Sequence, residues 1–306
     1  MKKYPLVNRG VLLLISAITK GVLVYLMMNH FIFNGKFYKE NTEIITADSR
    51  GLRFGDGLFE TIKSINGQLE FLDEHLARLW KGMQVLQFNI PKHFTPDSLE
   101  EQLQALLKKN GHLNKARIRL TVFRGEGGLY DEINHKPNYI LQTWALADET
   151  GGWNSNGLVL GIYADAKKSF DILSNLKHNN FLPYALAALH AKKEKWNDAV
   201  LLNTEGRICD TTIANIFLIK DEVIYTPALQ EACIAGIMRK HIIKSLIAAG
   251  YTVVEGKLSI DDLEKTDEVF LSNSIYNMRW VDCFADKRYT CSMAQKIFAS
   301  LFSTKP

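Results

Sequence analysis

Three groups in the second half of the chain have the types and spacing to act on one small molecule. Lys177 stands in SNLKHNNFLPYALAALHA, at the start of an apolar helical pattern. Asp210 follows 33 residues later in AVLLNTEGRICDTTIANIF, and Gly236-Ile237-Met238-Arg239 then opens a helix. A lysine amine condenses with an aldehyde as a Schiff base, a buried acid keeps a pyridine nitrogen protonated, and the free N–H groups of a helix N-terminus hold a phosphate. Each group alone is ordinary, since most lysines are solvated surface charges and an Asp between strands is usually turn chemistry. Lysine, acid and helix N-terminus together are what pyridoxal phosphate needs.

The elements that must position these groups follow from periodicity and turn chemistry. Residues 10–28, GVLLLISAITKGVLVYLMM, are an apolar run broken only by Lys20 and preceded by Lys2, Lys3 and Arg9. The run reads either as a signal-anchor or marginal membrane span, or as an in-frame extension upstream of Met28, where MNHFIFNGKFY begins a first strand. Asn66-Gly67 between two alternating runs predicts a hairpin. Asp73 is placed to cap the next helix, in which Leu76, Leu79, Trp80 and Met83 recur at helical spacing. Ser98 to Lys109 predicts a second helix, with Asn110-Gly111 as its stop. ARIRLTVF alternates strictly and predicts a strand running into RGEGGLY, Arg124 to Tyr130. That turn is no dinucleotide fingerprint, because no GxGxxG opens a helix within a βαβ unit.

NYILQTWAL then closes a first domain, and the Gly-, Asn- and Asp-rich ADETGGWNSNG reads as an interdomain linker or hairpin tip. The expected division is an apolar extension over 1–27, an N-terminal α/β domain over 28–148 and a C-terminal domain over 149–306 that carries Lys177. In the latter, a helix from about Pro183 to Trp196 is expected to bury Leu186, Leu189 and the neighbouring alanines. AVLLN, TEGR and RICDTTIANIFLIK read as strand, turn and strand. Ile234 to Ala249 is a helix ended by Gly250, DEVFLSNSIYNMRWV a late strand and turn, and MAQKIFASLF a terminal helix.

Size and charge narrow the classes. A chain of 306 residues with 47% hydrophobic content can bury a substantial core over two domains. The formal net charge is +4, and residues 1–28 alone contribute +4 through Lys2, Lys3, Arg9 and Lys20 with no acid, so the remainder is formally neutral. No basic patch is left to argue for nucleic acid. Cys209, Cys233, Cys283 and Cys291 form no CxxC pair, which suits a reducing cytosol, and the eight histidines are scattered without metal-ligand spacing.

GDGLFET, EHLARL, the Lys177 segment and GIMR resemble, in this order, the motifs of fold-type IV pyridoxal-phosphate enzymes. That group, the class IV aminotransferase family, includes branched-chain and D-amino-acid aminotransferases and aminodeoxychorismate lyases. The resemblance runs from about Met28 to near the C-terminus. It implies a two-domain α+β fold like that of the D-amino-acid aminotransferases, with a smaller N-terminal α/β domain and a larger C-terminal mixed-sheet domain, and a cytoplasmic homodimer. It implies that Lys177 holds the cofactor and moves the proton at the reacting carbon, and that Asp210 meets the ring nitrogen. The family usually has Glu there, one methylene longer. By the same match Arg78, the N–H groups of Ile237 and Met238, and Ser274 bind the cofactor phosphate. Phe59 and Ile213 line the substrate pocket, Arg124 meets a substrate carboxylate, and Asn273 faces substrate.

Within the family, KHNN, IAN followed by IF, GIMR and RGEGG resemble segments of the lyases. Phe59 stands where D-amino-acid aminotransferases carry Tyr, and their RxH pair after ARIRLTVF is missing. The lyase resemblance implies conversion of 4-amino-4-deoxychorismate to 4-aminobenzoate and pyruvate in folate biosynthesis. Two alternatives stay open: an aminotransferase acting on branched-chain or related amino acids with 2-oxoglutarate, and a non-catalytic relative that binds pyridoxal phosphate. Each takes a small-molecule amino substrate or the cofactor alone, no metal and no nucleic acid. A membrane enters only if residues 1–27 are a real anchor.

Overall fold

The computed structural model describes residues 29–130 and 134–302, so the apolar run at 10–28 lies outside the described residues. No helix among those described is long and apolar enough to cross a membrane. The first half forms a six-stranded antiparallel sheet from β1 (His30–Phe33), β2 (Lys36–Lys39), β3 (Gly57–Ile65), β4 (Gln68–Leu69), β5 (Lys115–Arg124) and β6 (Pro137–Ala145). Their spatial order is β2-β1-β6-β5-β3-β4, and a short helix, α1 (Arg50–Phe54), precedes β3. The Asn66-Gly67 hairpin joins β3 to β4 with both residues at positive φ, +51° and +77°. Asn and Gly tolerate that conformation, and the twist it gives matches the strands.

Alternation along β5 divides its residues between two environments. Ala116, Ile118, Leu120 and Val122 are fully buried against α2 (Leu72–Val85) and α3 (Pro96–Asn110), which supply Leu76, Leu79, Met83, Leu99, Leu103, Leu106 and Leu107. Arg117, Arg119 and Thr121 point to the opposite face. α3 starts at Pro96 with Thr95 as its side-chain cap and ends on Gly111 at φ +70°, as its stop signal predicts. α2 departs from expectation. Asp73 lies inside its first turn, and the cap position is Phe71, at φ +53° with its ring against His241. Asp73 and Glu74 still favour this end through the helix dipole.

The second half forms a mixed sheet of nine strands among the described residues: β7 (Leu158–Lys168), β8 (Asp198–Asn203), β9 (Ile208–Thr211), β10 (Asn215–Lys220), β11 (Val223–Pro227), β12 (Val253–Gly256), β13 (Glu268–Asn273), β14 (Asn277–Phe284) and β15 (Lys287–Arg288). The order is β12-β11-β10-β13-β14-β7-β8-β9, with β15 paired to β14. The β11–β12, β14–β7 and β7–β8 pairs are parallel. α5 (Ile237–Ala248) and α7 (Ser292–Phe302) cover one face with Met238, Ile242, Leu246, Ile297 and Phe298 on Phe217, Phe270 and Met278. A second core, with Leu160, Val200, Ile216 and Leu271, takes Leu263 from α6 (Ile260–Lys265).

α4 (Leu182–Lys193) packs on β7 and β8 in a way that corrects the sequence reading. Leu182, Leu186 and Leu189 are exposed, and Tyr184, Ala187 and Ala191 are buried. Small alanines let the helix axis approach the sheet, where they meet Tyr163 and Leu201.

The two sheets meet where the connection from β7 to α4 crosses the start of β3. Lys177 accepts a hydrogen bond from the Phe59 N–H at 2.9 Å, and Asn179 N–H donates to Gly57 at 2.9 Å. Gly57 permits this approach: a Cβ there would lie 2.4 Å from the Val122 carbonyl oxygen and 2.6 Å from Asn179 Nδ2.

Candidate active site

A cavity of about 570 Å³ opens between the sheets at this crossing. Of the ten residues singled out from the sequence, nine line it: Phe59, Arg78, Lys177, Asp210, Ile213, Ile237, Met238, Asn273 and Ser274. The Lys177 amine lies 4.4 Å from the Phe59 ring centroid and 5.7 Å from that of Phe181, and it makes no hydrogen bond or ion pair among the described residues. Burial, with the Arg78 guanidinium adding to it, lowers its pKa to about 8. A substantial share of neutral, nucleophilic amine is therefore present near neutrality, which an ordinary surface lysine lacks.

Arg78 is held as a rigid fork. Its Nε and Nη2 donate to the Glu60 carboxylate at 2.8 and 2.5 Å, and Nη1 donates to the Ala235 carbonyl at 2.8 Å. His75 Nδ1 meets the same carboxylate at 2.7 Å. Burial works against the Glu60 charge, but Arg78 and His75 overcome it and hold its pKa down at about 2. Glu60 and His75 are thus functional positions that sequence reading passed over, although GDGLFE and EHLARL contain them.

Asp210 lies on β9 and is 2% exposed. Its carboxylate accepts from Lys168 Nζ at 3.0 Å, the Tyr184 hydroxyl at 2.7 Å, Ile234 N–H at 2.9 Å and Asn215 Nδ2 at 2.8 Å. Burial and the adjoining Asp210 raise the Tyr184 pKa well above its ordinary value, so that phenol stays a donor. Cys209 is buried next to Asp210 and its thiol is pushed up, which leaves it inert.

The remaining groups come from α5 and the turn after β13. Gly236 caps α5 without a side-chain hydrogen bond, and a Cβ at Gly236 would lie 2.0 Å from Asn215 Oδ1. The hydroxyl of Ser272 is buried with no hydrogen-bond partner among the described residues, and both Ser272 and Ser274 line the cavity. Asn273 lines the cavity and also braces its wall. Its Oδ1 accepts from Ile275 and Tyr276 N–H at 3.0 and 2.8 Å and its Nδ2 donates to the Ile213 carbonyl at 3.3 Å, so it holds its own turn and ties it to the Ile213 segment.

Arg124 is the residue that the structure places elsewhere. It is 5% exposed and outside the cavity lining. Its guanidinium meets Asp56 Oδ2 at 3.0 Å, His135 Nδ1 at 2.7 Å and the carbonyls of Leu86 and Gln87. The cause is strand parity: Arg124 lies on the helix-covered face of β5, whereas Arg117 and Arg119 face the cavity. These two cations were not singled out from the sequence, although the alternation of ARIRLTVF places them opposite its apolar residues.

The donor set fits pyridoxal phosphate at both ends. An uncapped helix N-terminus, an orphaned buried hydroxyl and a fixed guanidinium suit a phosphate, and a free amine of lowered pKa suits an aldehyde.

Comparison with known proteins agrees. The family model described as amino-transferase class IV matches residues 57–282. The aminodeoxychorismate lyase of Vibrio harveyi is 32% identical over 233 residues, covering 76% of this chain and 84% of that protein. A putative branched-chain-amino-acid aminotransferase of Methanocaldococcus jannaschii is 30% identical over 244 residues, covering 79% and 83%. Among solved structures, a putative 4-amino-4-deoxychorismate lyase from Legionella pneumophila superposes with a TM-score of 0.76 at 27% identity, covering 86% of this chain and 96% of that one. The chain belongs to the class IV aminotransferase family of fold-type IV enzymes, lyases and aminotransferases that work with pyridoxal phosphate.

Proposed function

We propose that this enzyme is a 4-amino-4-deoxychorismate lyase that forms 4-aminobenzoate and pyruvate for folate biosynthesis. One observation carries the reading: a sequence relative at 32% identity and a structural relative at 27% both bear the lyase name. KHNN, IANIF and GIMR support it from within the chain.

When bound, pyridoxal phosphate supplies an electron sink at the amine-bearing carbon of the substrate. Arg78, the N–H groups of Ile237 and Met238, and the hydroxyls of Ser272 and Ser274 would hold its phosphate, and Asp210 would be the acid on the ring side. The Lys177 amine removes the proton from the amine-bearing ring carbon. The carbon–oxygen bond to the enolpyruvyl group then breaks, its electron pair leaves with oxygen, and the ring becomes aromatic. Lys177 or a water returns a proton to the methylene carbon, completing pyruvate. Phe59 and Phe181 flank the amine and limit water around it, which keeps its pKa low.

The same reading places the enzyme in the cytoplasm as a homodimer, with the chain divided near residue 148. A second function, aminotransfer to 2-oxoglutarate, is favoured by the 30% identity to the Methanocaldococcus jannaschii protein and uses the same lysine and acid.

The test is product analysis with aminodeoxychorismate made in situ and no 2-oxo acid present. Equal amounts of 4-aminobenzoate and pyruvate, abolished by Lys177→Ala, are expected. If neither product forms while a Lys177-dependent cofactor absorbance persists, the lyase reading falls and aminotransfer takes its place.

A further inference from the structure

Charge pairing around the cavity leaves two cations unmatched. The lining carries Arg78, Arg117, Arg119 and Lys177 against one carboxylate, Asp210. Glu60 neutralises Arg78, and Lys168 neutralises Asp210. The amine of Lys177 is the group that takes the cofactor. Arg117 and Arg119 remain, and neither makes an ion pair among the described residues.

Both are presented on purpose-built surfaces. Arg119 is paired across the ladder with Thr61, stacks on the Phe59 ring at 3.9 Å and donates through Nε to Thr121 Oγ1 at 3.1 Å. Arg117 is paired with Trp144 on β6 and lies over its ring at 4.4 Å. Two residues apart on one face, their Cα atoms are about 7 Å from each other along the strand. Burial and the like charge of Arg117 lower the pKa of Arg119. Aromatic stacking fixes each guanidinium while leaving its edge free, the arrangement that receives a carboxylate bidentately.

We propose that Arg117, stacked on Trp144 beside Arg119, receives a second carboxylate of the substrate, so that the enzyme selects dicarboxylic amino compounds over monocarboxylic ones. Nothing in the family motifs quoted above covers Arg117. The inference deepens the lyase reading and rests on it for the substrate's place in the cavity, because 4-amino-4-deoxychorismate carries two carboxylates. A branched-chain amino acid carries one and leaves a guanidinium unanswered.

Binding without turnover tests it. The cofactor-loaded protein is titrated with benzoate and with benzene-1,3-dicarboxylate, and likewise with butyrate and glutarate, and cofactor absorbance is followed. The wild type is expected to bind each dicarboxylate about tenfold or more tighter than its partner, the order of a charge-assisted hydrogen-bonded pair. Arg117→Gln is expected to abolish that preference while changing monocarboxylate affinity less than about twofold, and Arg117→Lys to restore part of it. In the lyase assay, the KM of Arg117→Gln should rise by more than its kcat falls. A preference that survives Arg117→Gln, or an equal loss for both kinds of acid, overturns the assignment. An Arg117-dependent preference in a protein that makes no 4-aminobenzoate would retain the dicarboxylate site and retire the lyase. Lyase products with no such preference would do the reverse.

Discussion

The two walls of the cavity are built by opposite rules. On the cofactor side every charge except the Lys177 amine is answered before any ligand arrives: Arg78 by Glu60 and the Ala235 carbonyl, and Asp210 by Lys168, Tyr184, Asn215 and a backbone N–H. On the β5–β6 wall, Arg117 and Arg119 are supported by rings and have no anion beside them. A fixed, pre-paired wall gives one geometry for one cofactor. A wall with unanswered charge is where one substrate can be told from another, because a wrong ligand leaves a guanidinium desolvated and unpaired.

The contrast can be broken most severely at Glu60. Glu60→Gln removes the anion that fixes Arg78 and leaves a buried cation, which should cost about 3–5 kcal/mol of stability and most of the affinity for cofactor, read by thermal unfolding and by cofactor titration. The pH dependence has a definite sign. A carboxylate held at about 2 stabilises the fold fully above the ordinary carboxylate range, and this contribution is lost as pH falls from about 4.5 towards 2. Stability curves of wild type and Glu60→Gln should therefore converge across that window. Divergence there would place the Glu60 charge outside the folding energetics.

A second effect, about tenfold per pH unit, concerns how the cofactor is captured. Because the Lys177 amine titrates at about 8, the rate at which cofactor-free protein binds pyridoxal phosphate should climb with pH and level off near 8. A climb continuing past pH 9 would mean that the amine is not desolvated as described. The smallest change is Ser272→Ala. Ser272 has no internal partner to lose, so stability should hold within about 0.5 kcal/mol while cofactor affinity drops a few-fold, for one neutral hydrogen bond. A stability loss without an affinity loss would show the hydroxyl to be structural.

Much of the cofactor wall was legible in the sequence because it is carried by short contiguous segments: the Arg78 helix, the Lys177 loop, Asp210 and the start of α5. The substrate wall was less so. Arg124 was preferred to Arg117 and Arg119 because it belongs to a glycine-rich motif, yet strand parity turns it towards α2 and its Asp56 partner. The alternation that predicts β5 also contains this answer. α4 shows a limit of a different kind. LPYALAALHA is apolar all round, so periodicity cannot say which face is buried, and the close fit of Ala187 and Ala191 on the sheet decides against the leucines. Asn273 was located correctly in the cavity wall, but its two hydrogen bonds to its own turn and its third to the Ile213 carbonyl follow from a conformation that sequence does not display.

The hydrogen bonds that tie the Lys177 segment to β3 run between backbone atoms, Phe59 N–H to the Lys177 carbonyl and Asn179 N–H to the Gly57 carbonyl. Protein engineers gain a degree of freedom from this. Side chains at 178 and 180 can be randomised without cutting the anchor that aims the amine, whereas any side chain at Gly57 would wedge the two sheets apart. A library built on that loop should therefore change what the enzyme accepts more readily than whether it works.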